Sequence, residues 1–382
     1  MERPLSPHGD DLVPVAPRFA MTSCGWMHAL AIGEDGSLWA WGDNYCAQLG
    51  LGDFTEVLCP TRVDASGWAA VSADGECSLG LRTDGSLWYW GAGAESALSI
   101  SPRPYHRTPR PLGAEHDWLA ASAGHGHCLA LRRDGSLWSW GSRNSYGELG
   151  HGSLPGPLGR GEVDKAIEWA LWCAADDLGA QRFCRVGGAT DWAAISAGRD
   201  HSLALKRDGS LWAWGRNDNG QLGRGDRTQR RAPTCVGVSG EWTAISTFDR
   251  HSLALKRDGS LWAWGSNDWG TLGLGDQADR REPTRVGEAA DWAAVSAGSR
   301  HSLALNADGS LWGWGDGSQG QLGLGRAKQV GGPARIGHDC DWAAISSGWD
   351  VSLALKRDGS LWTWGSNRWG VLGTAHRGDR TE

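Results

Sequence analysis

The chain has 382 residues, 40% hydrophobic and 21% charged, with a formal net charge of −7 at pH 7. That acidic balance, with no basic tail, argues against nucleic-acid binding, which needs a basic face. No run of 18 apolar residues is present, which argues against a membrane span, and the nine cysteines fall at irregular places, so the expected compartment is reducing and cytoplasmic.

Residues 1–10 are expected to be a flexible tail ahead of one domain spanning 11–382. Over Met1 to Pro17, Glu2, Asp10 and Asp11 and the lack of an apolar core lead to the expectation of neither a signal peptide nor an anchor. Next, Val13 and Phe19 to Ser23 align with Val286 and Trp292 to Ser296 farther along the chain. From Asp35 onward, Asp-Gly-Ser-Leu-Trp-x-Trp-Gly is written seven times, at starts spaced by 49, 50, 74, 50, 50 and 50 residues. A period of roughly 20 to 50 residues marks a solenoid or a propeller. Within one copy, Trp192 to Ala197, His201 to Leu205, Ser210 to Trp214 and Arg231 to Val236 read as four short antiparallel strands, the makings of a propeller blade. Asp-Gly between the second and third runs is expected to close a two-residue hairpin. No sustained helical apolar period occurs within the repeats, which disfavours a helical solenoid.

The 74-residue spacing exposes an insertion over 152–183. Leu154-Pro155-Gly156-Pro157 reads as linker. Val163, Ala166, Ile167, Ala170, Leu171 and Ala174 then recur at helical spacing with Gly179 as a stop, so a short amphipathic helix is expected. Trp169 and Trp172 would dock it on a blade or offer it to a partner. The last copy stops before the outer-strand elements seen in the others, and residues 11–16 are expected to supply that strand to the blade carrying Trp362, hiding the sheet edges. The expected fold is all-β: a seven-bladed β-propeller of four-stranded antiparallel blades, ring closed by the N-terminal strand, with one short helical insertion.

The pattern Ser-Ala-Gly-x-x-His-Ser-Leu-Ala-Leu, followed by Trp-Gly-x-Asn-x-x-Gly-x-Leu-Gly-x-Gly-Asp, resembles the regulator of chromosome condensation repeat over nearly all of the chain. The resemblance implies a seven-bladed propeller whose relatives include an exchange factor for a Ran-type small GTPase, a plant UV-B photoreceptor and a bacterial β-lactamase inhibitor. Their common ground is protein binding, and fold alone does not choose among them. In the exchange-factor relatives a ring-face His and Asp help displace nucleotide; His201 with Asp200 is the formal match here.

Twenty of the 26 tryptophans fall at repeat positions: two in each Leu-Trp-x-Trp-Gly, and Trp68, Trp118, Trp192, Trp242, Trp292 and Trp342, with Phe19 standing in for a seventh. These are blade architecture, since residues two apart project from one strand face, so tryptophan abundance is not a photochemical signature. The repeat does not demand the other six. Trp26 and Trp349 occupy the two-residue loop before the His position, Trp269 and Trp369 the Asn-x-x-Gly turn, and Trp169 and Trp172 the insertion. Strand direction puts both variable loop types on one face and the Asp-Gly turns on the other. The candidate partner-binding patch is the seam of the last and first blades, with Trp26, Met27, Tyr45, Trp349, Asp350 and Trp369. The variable residues Arg199, Asp200, Asp249, Arg250, Trp269 and Arg300 extend it around the same face.

Histidine recurs at one repeat position as His28, His127, His201, His251 and His301, with Cys77 and Val351 in the other two places. Such recurrence reads as a loop-fixing hydrogen bond in each blade in preference to a metal site. Motifs for phosphate loops, zinc proteases, redox dithiols and nucleophile elbows are absent, so no catalytic residue, metal or cofactor is expected. The sequence reads as a protein-binding scaffold or regulator presenting a variable aromatic and charged loop face to a protein partner, with a monomer favoured. An exchange factor for a small GTPase is the first alternative, and an enzyme or ligand-binding protein using the central funnel is the second.

Overall fold

The alternating runs on either side of each Asp-Gly fold into consecutive antiparallel strands. The computed structural model describes residues 17–92, 105–141, 143–152, 183–237, 240–325 and 327–376. Blade one comprises β1 (Phe19–Cys24), β2 (His28–Gly33), β3 (Leu38–Gly42) and β4 (Val57–Asp64), hydrogen-bonded in that order. The same order repeats in blades two to six, over residues 68–111, 118–185, 192–236, 242–285 and 292–336, and blade seven shows three described strands over 342–365. Blade one closes on blade seven, where the Phe19 N–H donates to the Gly359 carbonyl at 2.8 Å. The chain is a seven-bladed, all-β propeller. The tail at 1–10, the expected closing strand at 11–16 and the expected helix with Trp169 and Trp172 lie outside the described residues. At the edge of the insertion, Phe183 sits with its ring 5.0 Å from both Trp118 and Trp140.

The motif Asp-Gly-Ser-Leu-Trp is a chain of local hydrogen bonds. In blade four the Asp208 carboxylate accepts the Ser210 N–H at 2.8 Å, and the Ser210 hydroxyl oxygen accepts the Trp212 indole N–H at 2.9 Å. The turn differs from the two-residue hairpin expected above. Gly209 N–H donates to the Lys206 carbonyl and Lys206 N–H to the Ser210 carbonyl, leaving three residues in the loop. Only Gly209 has a positive φ, at 80°, so this is a type I turn followed by a glycine bulge. Asp208 keeps a negative φ, as the third residue of a type I turn does, and its side chain folds onto Ser210. A hydrogen bond from the serine hydroxyl, and after it the serine N–H, holds each of these exposed aspartates below the usual carboxylate pKa range, as at Asp208 and Asp258.

Apolar clusters lie between the blades. Leu203, Leu205 and Leu211 of blade four pack with Trp242 and Trp264 of blade five, and corresponding clusters follow around the ring. Two hydrogen-bonded belts reinforce them. In the inner belt a first-strand serine accepts an N–H from the next blade: Ser23 from Ala73, Ser72 from Ala123, Ser122 from Ala197, Ser196 from Thr247, Ser246 from Ala297, Ser296 from Ser347, and Ser346 from Cys24, all at 2.9 to 3.1 Å. The circuit is complete across all seven borders.

The second belt corrects the expectation for the histidines. Each His reaches across to a serine of the next blade instead of fixing its own loop: His28 to Ser78, His127 to Ser202, His201 to Ser252, His251 to Ser302 and His301 to Ser352, at 2.8 to 3.1 Å. The serine hydroxyl in turn donates to a turn carbonyl of the preceding blade, as Ser302 does to Thr271 at 2.9 Å. The second tryptophan of Leu-Trp-x-Trp donates to that same carbonyl, Trp314 to Thr271 at 2.8 Å, and the carbonyls of Glu148, Gln221 and Gln321 are shared in the same way. Since the serine proton goes to the carbonyl, the histidine donates through Nε2 and stays neutral. Burial pushes these imidazoles down, His28, His201 and His301 to about 3 and His127 and His251 to about 4.

At the two borders without a histidine both partners change together. Cys77 faces Cys128, and a hydrogen bond with Cys77 together with burial holds the Cys128 thiol well above its ordinary pKa. Val351 and Ala29 meet in one apolar cluster. An unmatched polar group is thereby avoided at both places, where it would cost about 1–3 kcal/mol. Replacing only one partner, as in Ser302→Ala, strands the His251 Nε2 proton, and urea unfolding is expected to show a loss of about 1–3 kcal/mol.

The buried histidines also set an acid limit. Their folded pKa values lie below the unfolded value near 6.5, so the stability they protect is complete above about pH 6.5 and is lost as pH falls towards 4, by about 1.4 kcal/mol per pH unit for each histidine. Asp74, pushed up to about 8 by burial, works with the opposite sign and gives up stability as pH rises through 4 to 8. Five histidines outweigh it below pH 6.5. The urea midpoint is expected to drop steeply between pH 6.5 and 4.5. The pair His301→Val and Ser352→Ala, copying the apolar border, is expected to make that drop shallower.

Candidate functional site

The loop between first and second strands and the start of the loop between third and fourth strands are tied together on one face. Asp43 N–H donates to the Met27 carbonyl at 2.8 Å, Arg216 to Asp200 at 2.8 Å, Ser266 to Arg250 at 2.9 Å, Asp316 to Arg300 at 2.8 Å and Ser366 to Asp350 at 2.9 Å. The Asp-Gly turns occupy the opposite face. All ten of the loop and turn residues in these bonds stand at equivalent repeat positions, so the face is set by strand direction alone.

Radius divides what the sequence grouped as one seam. Trp26 and Trp349 turn to the axis and are half-buried. The Trp26 ring stacks on His125 of blade three, centroids 3.9 Å apart and planes 10° apart, and meets Trp349 at 4.6 Å. Both tryptophans pack against the cluster that contains Phe248 of blade five. Arg199 of blade four lies 5.6 Å from the Trp26 ring and pairs with Asp249 at 3.3 Å, and Asp249 also takes the Ser299 hydroxyl at 3.5 Å. Side chains from the inner loops of blades one, three, four, five, six and seven therefore meet in one cluster on this face. His125, Phe248 and Ser299 were not among the expected site residues, although each occupies the same loop as Trp26 in its own blade.

Burial shapes the charges of this axial cluster. Asp74, from the corresponding loop of blade two, is 2% exposed, and burial followed by the nearby Asp249 raises its pKa to about 8, against the lowering effects of the Gly75 N–H and Arg199. Burial, then Arg143 and Arg199, lowers His125 to about 4. Asp350 is raised to about 6, mainly by burial. Asp200 is held by Arg216 at 3.2 Å, and Arg250 reaches Asp249 at 3.9 Å. His201 is fully buried in the inter-blade belt, so the His201 and Asp200 pair does not present an imidazole to a partner.

The outer loops form an exposed rim. Tyr45 is 77% exposed, Trp269 41% and Trp369 39%, each in the turn after the third strand. Arg300 of blade six stacks over Trp269 at 4.9 Å, and Arg368 over its neighbour Trp369 at 5.1 Å. These turns lean on the next blade: Gly270 lies against Val330 and Gly331, and Gly370 against Leu58 and Glu56. Phe54, 39% exposed, continues the rim in blade one and carries Arg107 at 4.4 Å. The face thus has a centre of half-buried and buried aromatic and ion-paired side chains and a periphery of exposed rings, with arginines beside Phe54, Trp269 and Trp369.

Two family models account for most of the chain, an RCC1-like domain over residues 5–340 and a regulator of chromosome condensation (RCC1) repeat over 342–370. The Arabidopsis thaliana ultraviolet-B receptor UVR8 is 29% identical over 223 residues, covering 57% of this chain and 46% of the receptor. The Danio rerio protein RCC2 homolog is 53% identical over 36 residues, which is 9% of this chain and 7% of that protein. The match spans less than half the length of either relative. Among solved structures, human WBSCR16 superposes with a TM-score of 0.74 at 21% identity, covering 90% of this chain and 92% of that one. Prp20p from Saccharomyces cerevisiae, whose structure was described with its binding to Gsp1p and histones, gives 0.71 at 21% identity, covering 90% and 81%. These two likenesses concern the fold, whereas the family models match the repeats themselves across both stretches: the chain belongs to the RCC1-like family of repeat propellers.

Proposed function

We propose that this propeller is a protein-binding scaffold or regulator whose loop face receives a protein partner. The observation that carries the reading is the exposed aromatic rim. Tyr45, Trp269 and Trp369 stand exposed on one face of a scaffold whose repeat-position tryptophans serve the blades, and two of the three rings have an arginine against them. Exposed aromatic and arginine side chains on a rigid frame are what protein interfaces favour. Family membership supports the same reading, since the yeast neighbour was described with protein partners and a further structure has Kap60 bound to yeast RCC1. The reading assigns no catalytic chemistry, cofactor or metal to the chain, and takes it as a cytoplasmic monomer. The axial cluster belongs to the frame, because its members are half-buried or buried against one another.

The second reading is an exchange factor for a small GTPase, favoured by the Gsp1p binding of the Saccharomyces cerevisiae neighbour. It requires contacts other than His201, which lies inside the ring.

Affinity capture from the native cell extract tests the first reading, with wild type compared to a Tyr45→Ala, Trp269→Ala, Trp369→Ala variant. Exposed substitutions of this kind change stability little, so the melting temperature is expected to stay within a few degrees. A partner held by wild type and released by the variant is the expected result. Equal capture by both proteins sinks the rim as the interface. Nucleotide release from a captured GTPase, faster with wild type than with the variant, would select the second reading.

A further inference from the structure

On the Asp-Gly face, the second strand of most blades ends in a cation laid over two tryptophan rings. Lys206 Nζ lies 5.1 and 4.7 Å from Trp192 and Trp212, Lys256 Nζ 5.1 and 4.5 Å from Trp242 and Trp262, and Lys356 Nζ 5.1 and 5.0 Å from Trp342 and Trp362. Arg82 and Arg132 fill the same place in blades two and three. An acid completes the site, Asp191 at 3.2 Å from Lys206 and Asp341 at 3.2 Å from Lys356. These acids are about half exposed, at 49% and 52%, while the lysines are 16% and 13% exposed, so the ammonium sits at the solvent edge with its stem across the rings.

Blade six retains the rings and the acid but has no cation. Asn306 stands where the lysines do, and Asp291 stands where Asp191 and Asp341 do. Trp292 and Trp312 keep the arrangement of the other blades, centroids 5.8 Å apart and planes 82° apart against 5.8 Å and 78° in blade four and 5.9 Å and 78° in blade seven. The Asn306 Oδ1 is buried with no hydrogen-bond donor. Arg335, the nearby guanidinium, donates to the His338 carbonyl and the Cys340 sulfur, both at 3.0 Å. Blade one provides the contrast. There Phe19 replaces the first tryptophan, Arg18 replaces the acid and Gly33 replaces the cation, and a side chain at Gly33 would run into Asp35 and Ser37 at 2.6 Å. Blade one keeps an edge-on ring pair, Phe19 and Trp39 at 6.0 Å and 89°, but has lost both the acid and the cation, whereas blade six has lost only its ammonium.

We propose that Trp292, Trp312, Asp291 and Asn306 form a binding site for an alkylammonium group that carries N–H donors. The rings attract the charge, as they do for lysine in the neighbouring blades. Asp291 supplies the counter-charge, and the Asn306 oxygen takes a proton that a quaternary ammonium does not have. The site is on the face opposite the aromatic rim and does not depend on the rim's role.

The test follows the Trp292 and Trp312 indole N–H resonances, assigned with single Trp→Phe variants, while n-butylammonium, N-acetyl-lysine methylamide and tetramethylammonium are titrated at matched ionic strength. Saturable shifts with millimolar dissociation constants are expected for the first two, and binding at least about 10-fold weaker for tetramethylammonium. The tighter of the two alkylammonium ligands identifies the source, free amine or chain lysine. Asn306→Lys places an internal ammonium in the site and is expected to abolish the shifts and raise the melting temperature by a few degrees. Equal shifts from all three salts, shifts that persist in Asn306→Lys, or a lower melting temperature in that variant overturn the proposal.

Discussion

At four blade borders one carbonyl oxygen ties two neighbouring blades together. At Thr271 it accepts the Ser302 hydroxyl and the Trp314 indole, both from the next blade, so both of its lone pairs are spent on the neighbour. The serine can donate there only because the histidine behind it donates to the serine, and the histidine is neutral only because it is buried. Each group fixes the state of the next. The node lies in the turn after the third strand, the same turn whose outer residue carries Trp269 in blade five. The exposed ring is therefore held by a backbone that the neighbouring blade grips from inside, and such fixed loops are where binding residues concentrate.

Inner and outer loops share a face but have opposite fates because the blades converge at the axis. Near the axis, loops from facing blades are close enough for Trp26 to reach His125 two blades away, and burying these side chains is worth more than leaving them free. At the periphery the turns diverge, each leaning on a single neighbour, and Tyr45, Trp269 and Trp369 stay exposed. The charged loops follow the same rule. Arg199 and Asp249 pair at the centre, while Arg300 and Arg368 lie against rim tryptophans.

The blades were legible in the sequence because their logic is local. Asp208, Ser210 and Trp212 bond one another within five positions, so the motif and the turn are the same fact, and reading Asp-Gly as a two-residue hairpin failed only on the geometry of Asp208. Face was legible too, since strand direction determines it. Radius was not: Trp26 and Trp369 look alike as loop tryptophans, and only closure of the ring sends one to the axis and leaves the other at the edge. Nor was partnership. His28 and Ser78 are 50 positions apart, and nothing in their spacing says that they meet across a border. Asn306 is visible as an odd residue among lysines and arginines, but its meaning needs the unchanged angle between Trp292 and Trp312.

The inner serine belt treats every border alike, as Ser23 to Ala73 and Ser346 to Cys24 show, so it would accept the blades in any order. Near-identical units run the risk of docking beside the wrong sibling. The borders where the His and Ser pair is replaced work against that error. A blade-three edge bearing Cys128 offers the wrong group to a histidine, and a blade-one edge bearing Ala29 offers it no acceptor at all. Cys77 with Cys128 and Val351 with Ala29 therefore serve as address labels, marking which edge is second to third and which is last to first in a ring whose other joints are interchangeable.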